Sequence, residues 1–241
     1  MKLSGNVALI TGASRGLGFE IAKAYAQRGA ELVIAARDGQ RLAAAATELA
    51  KETDVVALAL DVSQDAERLV RAGIDRFGRV DVLVNNASEL GPSPMPALES
   101  YPWQELERVF RVNVLAPLHL TQLVLPGMKE RGGGVIINVS SDAGVEAYPG
   151  WGGYGSSKAA LEHLSRTLAV ELDGTGVRVY AVDPGDMNTE MHQLAEPGVD
   201  LSDLPGPAAS APAFVQLVED QPASGRFQAQ ELLAAVSQKS M

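Results

Sequence analysis

The 241-residue sequence contains no cysteine. That excludes disulfides, thiolate nucleophiles and thiolate metal sites, and it is compatible with a reducing, cytoplasmic setting. Basic residues are in deficit: 20 Lys and Arg stand against 30 Asp and Glu, for a net charge of -10, and no basic stripe stands out. A field of that sign repels a phosphate backbone, so nucleic acid is not an expected partner and any bound anion has to be held by local groups. No leader is expected, because Met1 to Asn6 passes almost directly into the apolar run Val7-Ala8-Leu9-Ile10. The longest clean apolar stretches, such as Val55 to Leu60, fall far short of the ~20 residues that cross a bilayer, so no membrane span is expected. His119, His163 and His192 are too scattered to form a metal site.

What is present reads as a folded chain. Hydrophobic residues make up 46% against 21% charged, enough to build one core, and a single domain over residues 1–241 is expected. Apolar runs beginning at Val7, Leu32, Val55 and Val80 have the length of strands buried on both faces. Between them lie segments with helical spacing: Leu17, Ile21, Ala24 and Tyr25, then Leu42, Ala45, Ala46 and Leu49. The pattern predicts an α/β fold with a doubly wound, mostly parallel sheet and helices on both faces. Further on it predicts a helix from Trp103 to Arg131 ended by three glycines, a strand Val135 to Val139, a helix Tyr154 to Asp173 stopped by Gly174, and a strand Val177 to Val182. Residues 224–227 are read as the last strand and Glu231 to Ser237 as a closing helix. Between Asn188 and Pro212 the residues Pro197, Gly198, Pro205, Gly206, Pro207 and Pro212 break regular structure, and 188–212 is read as a flexible substrate lid.

Three patterns carry chemistry. The turn after the first strand reads Thr11-Gly12-Ala13-Ser14-Arg15-Gly16-Leu17-Gly18. Its glycines let the backbone turn sharply and approach a pyrophosphate at the positive end of the following helix. It departs from G-x-G-x-x-G and lacks the Lys-Ser/Thr ending of a P-loop, which disfavours nucleotide hydrolysis. Tyr154 and Lys158, four residues apart, share a face if a helix begins near Tyr154. A free tyrosine titrates near ~10, and a neighbouring ammonium would lower that value and fit Tyr154 for acid–base work. At the end of the second strand, Ala36 occupies the position where an acid would select NAD, and Arg37 with Arg15 supplies charge suited to a ribose phosphate. NADP(H) is therefore the preferred cofactor, with NAD(H) possible because Asp38 is adjacent. The alternative is that Arg37 and Asp38 only solvate a helix start.

Together, Thr-Gly-x-x-x-Gly-x-Gly, Asn85-Asn86-Ala87 and Tyr154-x-x-x-Lys158 resemble the short-chain dehydrogenase/reductase family, from about Val7 to Thr189. The resemblance implies a seven-stranded Rossmann-type sheet and an oxidoreductase that moves a hydride between the cofactor and a small carbonyl or secondary alcohol. It implies that Asn113 organises a relay water, Ser141 orients the substrate, Tyr154 exchanges the proton and Lys158 reaches the nicotinamide ribose. Ser140 is adjacent to Ser141, which is preferred on its distance to the tyrosine. The implied cofactor contacts are Gly12, Ser14, Arg15, Gly16, Leu17, Gly18, Arg37, Asp61, Val62, Asn86, Ala87, Pro184, Gly185, Met187 and Thr189, together with Tyr154 and Lys158. Asp61 has a second reading as a cap of the following turn. Ser88, Asp142, Tyr148, Trp151 and Met191 are the candidate substrate pocket. Ser88 departs from the family's glycine, which predicts an altered turn and a narrower pocket. The short lid and the absence of the family's C-terminal glycine pair are further departures. The resemblance also implies a homodimer or homotetramer built on the two long helices. The rival reading is a regulator that senses NADP without turnover.

Overall fold

Val7–Thr11 (β1), Val82–Asn85 (β4) and Gly134–Val139 (β5) are buried along their whole length. Strands that show neither face to water must be covered on both, which is why these runs lack the polar alternation of a one-sided sheet. The computed structural model describes residues 1–239 and supplies that cover. The remaining strands are Glu31–Ala36 (β2), Val55–Ala59 (β3), Val177–Asp183 (β6) and Gly225–Gln228 (β7). They form one seven-stranded sheet in the order β3-β2-β1-β4-β5-β6-β7, every pair parallel. Only the edge strands β3 and β7 are partly exposed throughout.

Ala8, Ile10, Leu32 and Ile34 face one core with helices Gly16–Ala26 (α1), Gly39–Leu49 (α2) and Ala211–Asp220 (α8), where Tyr25 and Phe214 are fully buried. Val7, Leu9, Val33 and Ala35 face the other, with Ala66–Phe77 (α3) and Ala116–Glu130 (α5) against them. Gly152–Glu171 (α6) lies on this second side through Leu168. The doubly wound α/β architecture expected from the sequence is the one observed.

Several boundaries differ from expectation. The helix read as Trp103 to Arg131 is Trp103–Phe110 (α4), a π-helical turn at Arg111–Leu115, and α5. A π turn widens the ladder by one residue, a local change that hydrophobic spacing does not encode. Trp103–Glu130 is also long and apolar enough by composition to cross a membrane, with a mean hydropathy of 1.2, yet half of that window is buried inside the fold. The fourth strand begins at Val82 rather than Val80, because Asp81 turns its carboxylate into the sheet's opening edge. There it accepts from Val7 N at 3.0 Å and from Arg79 Nε and Nη2 at 2.7 Å each. The 188–212 segment is not free of regular structure: it contains Glu190–Ala195 (α7), capped by Thr189 Oγ1, and a 3₁₀ turn at Pro207–Ala209. Pro212 opens α8 instead of breaking it, since the first helical turn needs no proline N–H. The closing helix is Ala229–Lys239 (α9), longer than the expected Glu231 to Ser237.

Candidate active site

The strand order reverses between β1 and β4, so the loops leaving their carboxyl ends diverge and open a crevice. Thr11 and Asn86 hold its base together. Thr11 Oγ1 accepts from the backbone N–H groups of Asn86 and Ala87 at 3.0 and 2.9 Å, while Asn86 Nδ2 donates to Thr11 O at 2.9 Å and Gly12 O at 3.2 Å. The clamp leaves no room for a side chain on Gly12, whose Cβ would meet Asn86 Nδ2 at 2.8 Å and Ala87 Cα at 2.9 Å. Gly16 has a φ of 57° and open space where its Cβ would lie. No side chain caps α1, whose N-cap position is Arg15. A positive-φ glycine facing open space beside an uncapped N-terminus of an eleven-residue helix is a cradle that fits a pyrophosphate.

The cleft above it has a volume of about 750 Å³. Of the expected cofactor residues it is lined by Gly12, Ser14, Arg15, Gly16, Leu17, Arg37, Asp61, Val62, Asn86, Ala87, Tyr154, Lys158, Pro184, Met187 and Thr189. Gly18 and Gly185 are not on this wall. Gly18 packs against Asn86 Nδ2 and Gly12 O, and a Cβ on Gly185 would strike Gln230. Asp61 lines the cleft, and its carboxylate also accepts from Ser63 N and Oγ at 2.9 and 2.8 Å, holding the following turn.

At the end of the cleft beside β2, Arg15 and Arg37 are joined on the lining by Arg41, which sequence reasoning missed because a charge in the first turn of a helix reads as solvated. Burial and the charges of Arg41 and Arg37 lower the Arg15 guanidinium from its ordinary value, and the Asp38 carboxylate opposes them. Carboxylates partly neutralise the cluster. Glu190 pairs with Arg15 and, at 3.0 Å, with Arg41, and Glu89 pairs with Arg37 at 3.1 Å. Asp38 is occupied as the N-cap of α2, accepting from Arg41 N at 3.0 Å.

At the other end, α6 begins at Gly152, two residues before Tyr154, and so carries Tyr154 and Lys158 on one face. Lys158 is 2% exposed; its Nζ donates to Val139 O at 2.8 Å and lies 5.4 Å from the Tyr154 ring centroid. Burial pushes the ammonium down to about 8. The Tyr154 phenol stands above its usual value, contrary to the expected lowering. Burial is the main cause, the Asp142 and Asp183 carboxylates add to it, and contacts with Ser88 and Ser141 oppose it. The ammonium is near, as expected, but burial sets the direction of the shift.

The two adjacent serines separate clearly. Ser140 Oγ donates to Glu162 Oε1 at 2.6 Å in a buried network that Arg226 extends to Asp183, whereas Ser141 contacts the Tyr154 side chain. Asn113, 1% exposed, does not line the cleft. Its Nδ2 donates to Ser157 Oγ and Glu89 O, both at 2.9 Å, and its Oδ1 accepts from Glu89 N at 2.7 Å and Ser88 Oγ at 3.2 Å. Ser88 also touches the Tyr154 side chain. Gln221 is the one non-glycine with positive φ among the described residues, so the backbone at Ser88 does not require glycine.

Beyond Tyr154 lies a smaller pocket of about 110 Å³, lined by Ser141, Asp142, Trp151, Gly185, Met187 and Met191 among others. Trp151 stacks edge-on against Tyr154 at 5.9 Å. Tyr148 does not line this pocket; it is exposed and donates to Asp142.

Comparison with known proteins agrees with this architecture. The short chain dehydrogenase family model matches residues 6–199. An uncharacterized oxidoreductase of Thermotoga maritima is 40% identical over 192 residues, covering 79% of this chain and 75% of the relative. The 7alpha-hydroxysteroid dehydrogenase of Escherichia coli is 34% identical over 193 residues, 79% and 74% of the two chains. A short chain dehydrogenase from Shigella flexneri, solved in complex with NADP, superposes with a TM-score of 0.86 at 30% identity, covering 95% of this chain and 98% of that one. This chain belongs to the short-chain dehydrogenase family of oxidoreductases.

The buried ammonium has a measurable signature. A lysine that titrates near 8 when folded and near ~10.4 when unfolded binds fewer protons in the native state between those values, so its contribution to stability rises with pH across that window. Lys158→Met removes this dependence. Its stability relative to wild type should be greatest near pH 7 and should decline by up to about 3 kcal/mol by pH 10. Urea unfolding of both proteins at several pH values measures it, and a difference that stays constant with pH contradicts the assigned burial.

Proposed function

We propose that this chain interconverts a carbonyl and a secondary alcohol by hydride transfer with NADP(H), Tyr154 being the general acid and base. The observation that carries the reading is the meeting of Tyr154, Ser141 and Lys158 where the glycine-cradle cleft opens into the smaller pocket. Arg15, Arg37 and Arg41 would hold the ribose phosphate, the Gly12–Gly16 turn the pyrophosphate, and Thr189 and Pro184 the nicotinamide end. When bound, the nicotinamide supplies or accepts the hydride. In reduction Tyr154 gives its phenolic proton to the carbonyl oxygen, Ser141 orients that oxygen, and the Lys158 ammonium stabilises the phenolate left behind. Asn113 organises the relay that restores the proton. Since oxidation needs the phenolate and burial holds Tyr154 above its ordinary value, alcohol oxidation should rise into the alkaline range while reduction proceeds at neutral pH.

The NADP preference rests on the three arginines and on Ala36 in place of an acid, and NADP in the Shigella flexneri relative supports it. The substrate is read as a small carbonyl or alcohol compound, entering past Trp151 and Met191 with Ser88 and Asp142 at the pocket wall. Residues 188–212, with α7, would act as the lid of one domain spanning the chain. The exposed Trp103, Leu115 and Val170 on α4, the π turn and α6 support assembly as a homodimer or homotetramer, in the cytoplasm.

Two measurements test the reading. With NADPH deuterated at the transferring position and a broad carbonyl panel, deuterium should appear on the former carbonyl carbon of the product; NADPH that binds without ever being consumed would favour a sensor. Arg41→Ala and Arg37→Asp should each weaken NADPH at least about tenfold and leave NADH nearly unchanged, because a charge-assisted contact to phosphate is lost. Equal weakening of both cofactors would overturn the phosphate assignment.

A further inference from the structure

Arg15 is the N-cap residue of α1, Arg41 sits in the first turn of α2, and Glu190 opens α7 in the 188–212 segment. All three line the cleft. Glu190 spans the two arginines: Oε1 and Oε2 accept from Arg41 Nη1 at 3.0 and 3.1 Å, and Oε2 also pairs with Arg15 Nη1. An anion held between two guanidinium groups stands where the proposed function puts a ribose phosphate.

Three carboxylates meet the three arginines of the cleft, and they are anchored unequally. Asp38 pairs with Arg41 Nε at 3.3 Å but is fixed as the N-cap of α2 through Arg41 N. The Glu89 side chain is only 13% exposed and is shared between Arg37 and Arg108, and its backbone N–H and C=O are both held by Asn113. The Glu190 side chain is 59% exposed, and its partners are Arg15 and Arg41. Ion pairs this exposed are weak, and a phosphate monoester brings more charge and more acceptor oxygens than a carboxylate. Glu190 is therefore the carboxylate that a phosphate can displace.

Glu190 also bears on where α7 lies. This helix has six residues, too few to persist by itself in water, and Ala195 is its one fully buried residue. Its polar ties to distant parts of the chain are the Glu190 pairs at its first residue and Ser93 Oγ, which donates to Leu194 O at 2.7 Å. Glu190, Leu194 and Ser93 all line the cleft, so α7 is a strap along it, fastened near each end.

We propose that Glu190 is a latch released by the ribose phosphate: its carboxylate holds the start of α7 on Arg15 and Arg41, and a phosphorylated cofactor takes those arginines and frees the strap, which an unphosphorylated cofactor does not. The proposal rests on the reading of these arginines as the phosphate site. Glu190 then sets both the strength of the phosphate preference and the freedom of the lid.

Adenosine 2′-phosphate carries the displacing group without the nicotinamide and requires no turnover; adenosine 5′-phosphate is its control. At saturation of the wild type, the 2′-phosphate should speed amide hydrogen exchange at Glu190–Ala195 at least about threefold, and the 5′-phosphate should leave it unchanged. Glu190→Gln keeps the size of the side chain and loses its charge. Its α7 should exchange at the released rate without ligand and show no further change on binding, and it should bind adenosine 2′-phosphate about three- to tenfold more tightly than the wild type. Tighter binding with α7 exchange unmoved in both proteins would leave a simple repulsion of like charges and overturn the latch. Weaker binding by Glu190→Gln would make Glu190 a ligand contact and overturn it as well. If adenosine 2′-phosphate binds the wild type and the variant no better than adenosine 5′-phosphate, the phosphate reading falls and the latch with it; preferential binding without release of α7 removes the latch alone.

Discussion

The Thr11 hydroxyl and the Asn86 amide join two loops that would otherwise part where the strand order turns back on itself. Both faces of the sheet are buried, so its chemistry has to be carried by the loops at the strand ends, and between β1 and β4 those loops run in opposite directions. The clamp fixes the gap. It sets the height of the glycine cradle, packs Gly12 and Gly18 too tightly for any side chain, and leaves Gly16 facing open space. It also holds the start of the 86–89 loop, from which Ser88 and Glu89 reach Asn113, and Asn113 in turn reaches Ser157 one turn along α6 from Tyr154. The glycine cradle and the Tyr154 end of the cleft are thus tied together by a short run of hydrogen bonds.

Burial dominates the electrostatics of the proton-transfer end. It raises the phenol and lowers the ammonium beside it, so each disfavours the charged form of its own group. On the proposed function, a proton would leave Tyr154 only when a substrate oxygen takes it, with Lys158, 5.4 Å from the ring centroid, in range of the new negative charge. At the opposite end the problem is reversed: three arginines are gathered on a chain of net charge -10, and Glu190 and Glu89 partly cover them. On the proposed function, a ribose phosphate would have to compete with those carboxylates for the arginines.

Most of the fold was legible because parallel strands buried on both faces are written as unbroken apolar runs, and the helices between them keep a 3.6-residue spacing. The glycine turn and the Tyr154–Lys158 spacing were legible for the same reason: each rests on local backbone geometry. What was not legible depends on contacts between distant segments. Arg41 becomes part of the cleft only because α2 and the Glu190 segment converge. The π turn at Asn113 leaves the hydrophobic pattern unchanged, and α7 sits between prolines that read as breakers. The raised phenol could not be foreseen from spacing, since spacing gives distances along a helix and says nothing of how much water the fold removes.

The account stands most directly on the Tyr154 hydroxyl. Tyr154→Phe keeps the ring, its edge contact with Trp151 and the cofactor cleft, and deletes the hydroxyl with its exchangeable proton. Measured on the wild type and this variant side by side, turnover of a carbonyl substrate should fall by at least about 10²- to 10⁴-fold while the NADPH dissociation constant stays within about twofold. Near-normal turnover in the variant would contradict the mechanism, whatever the cofactor affinity.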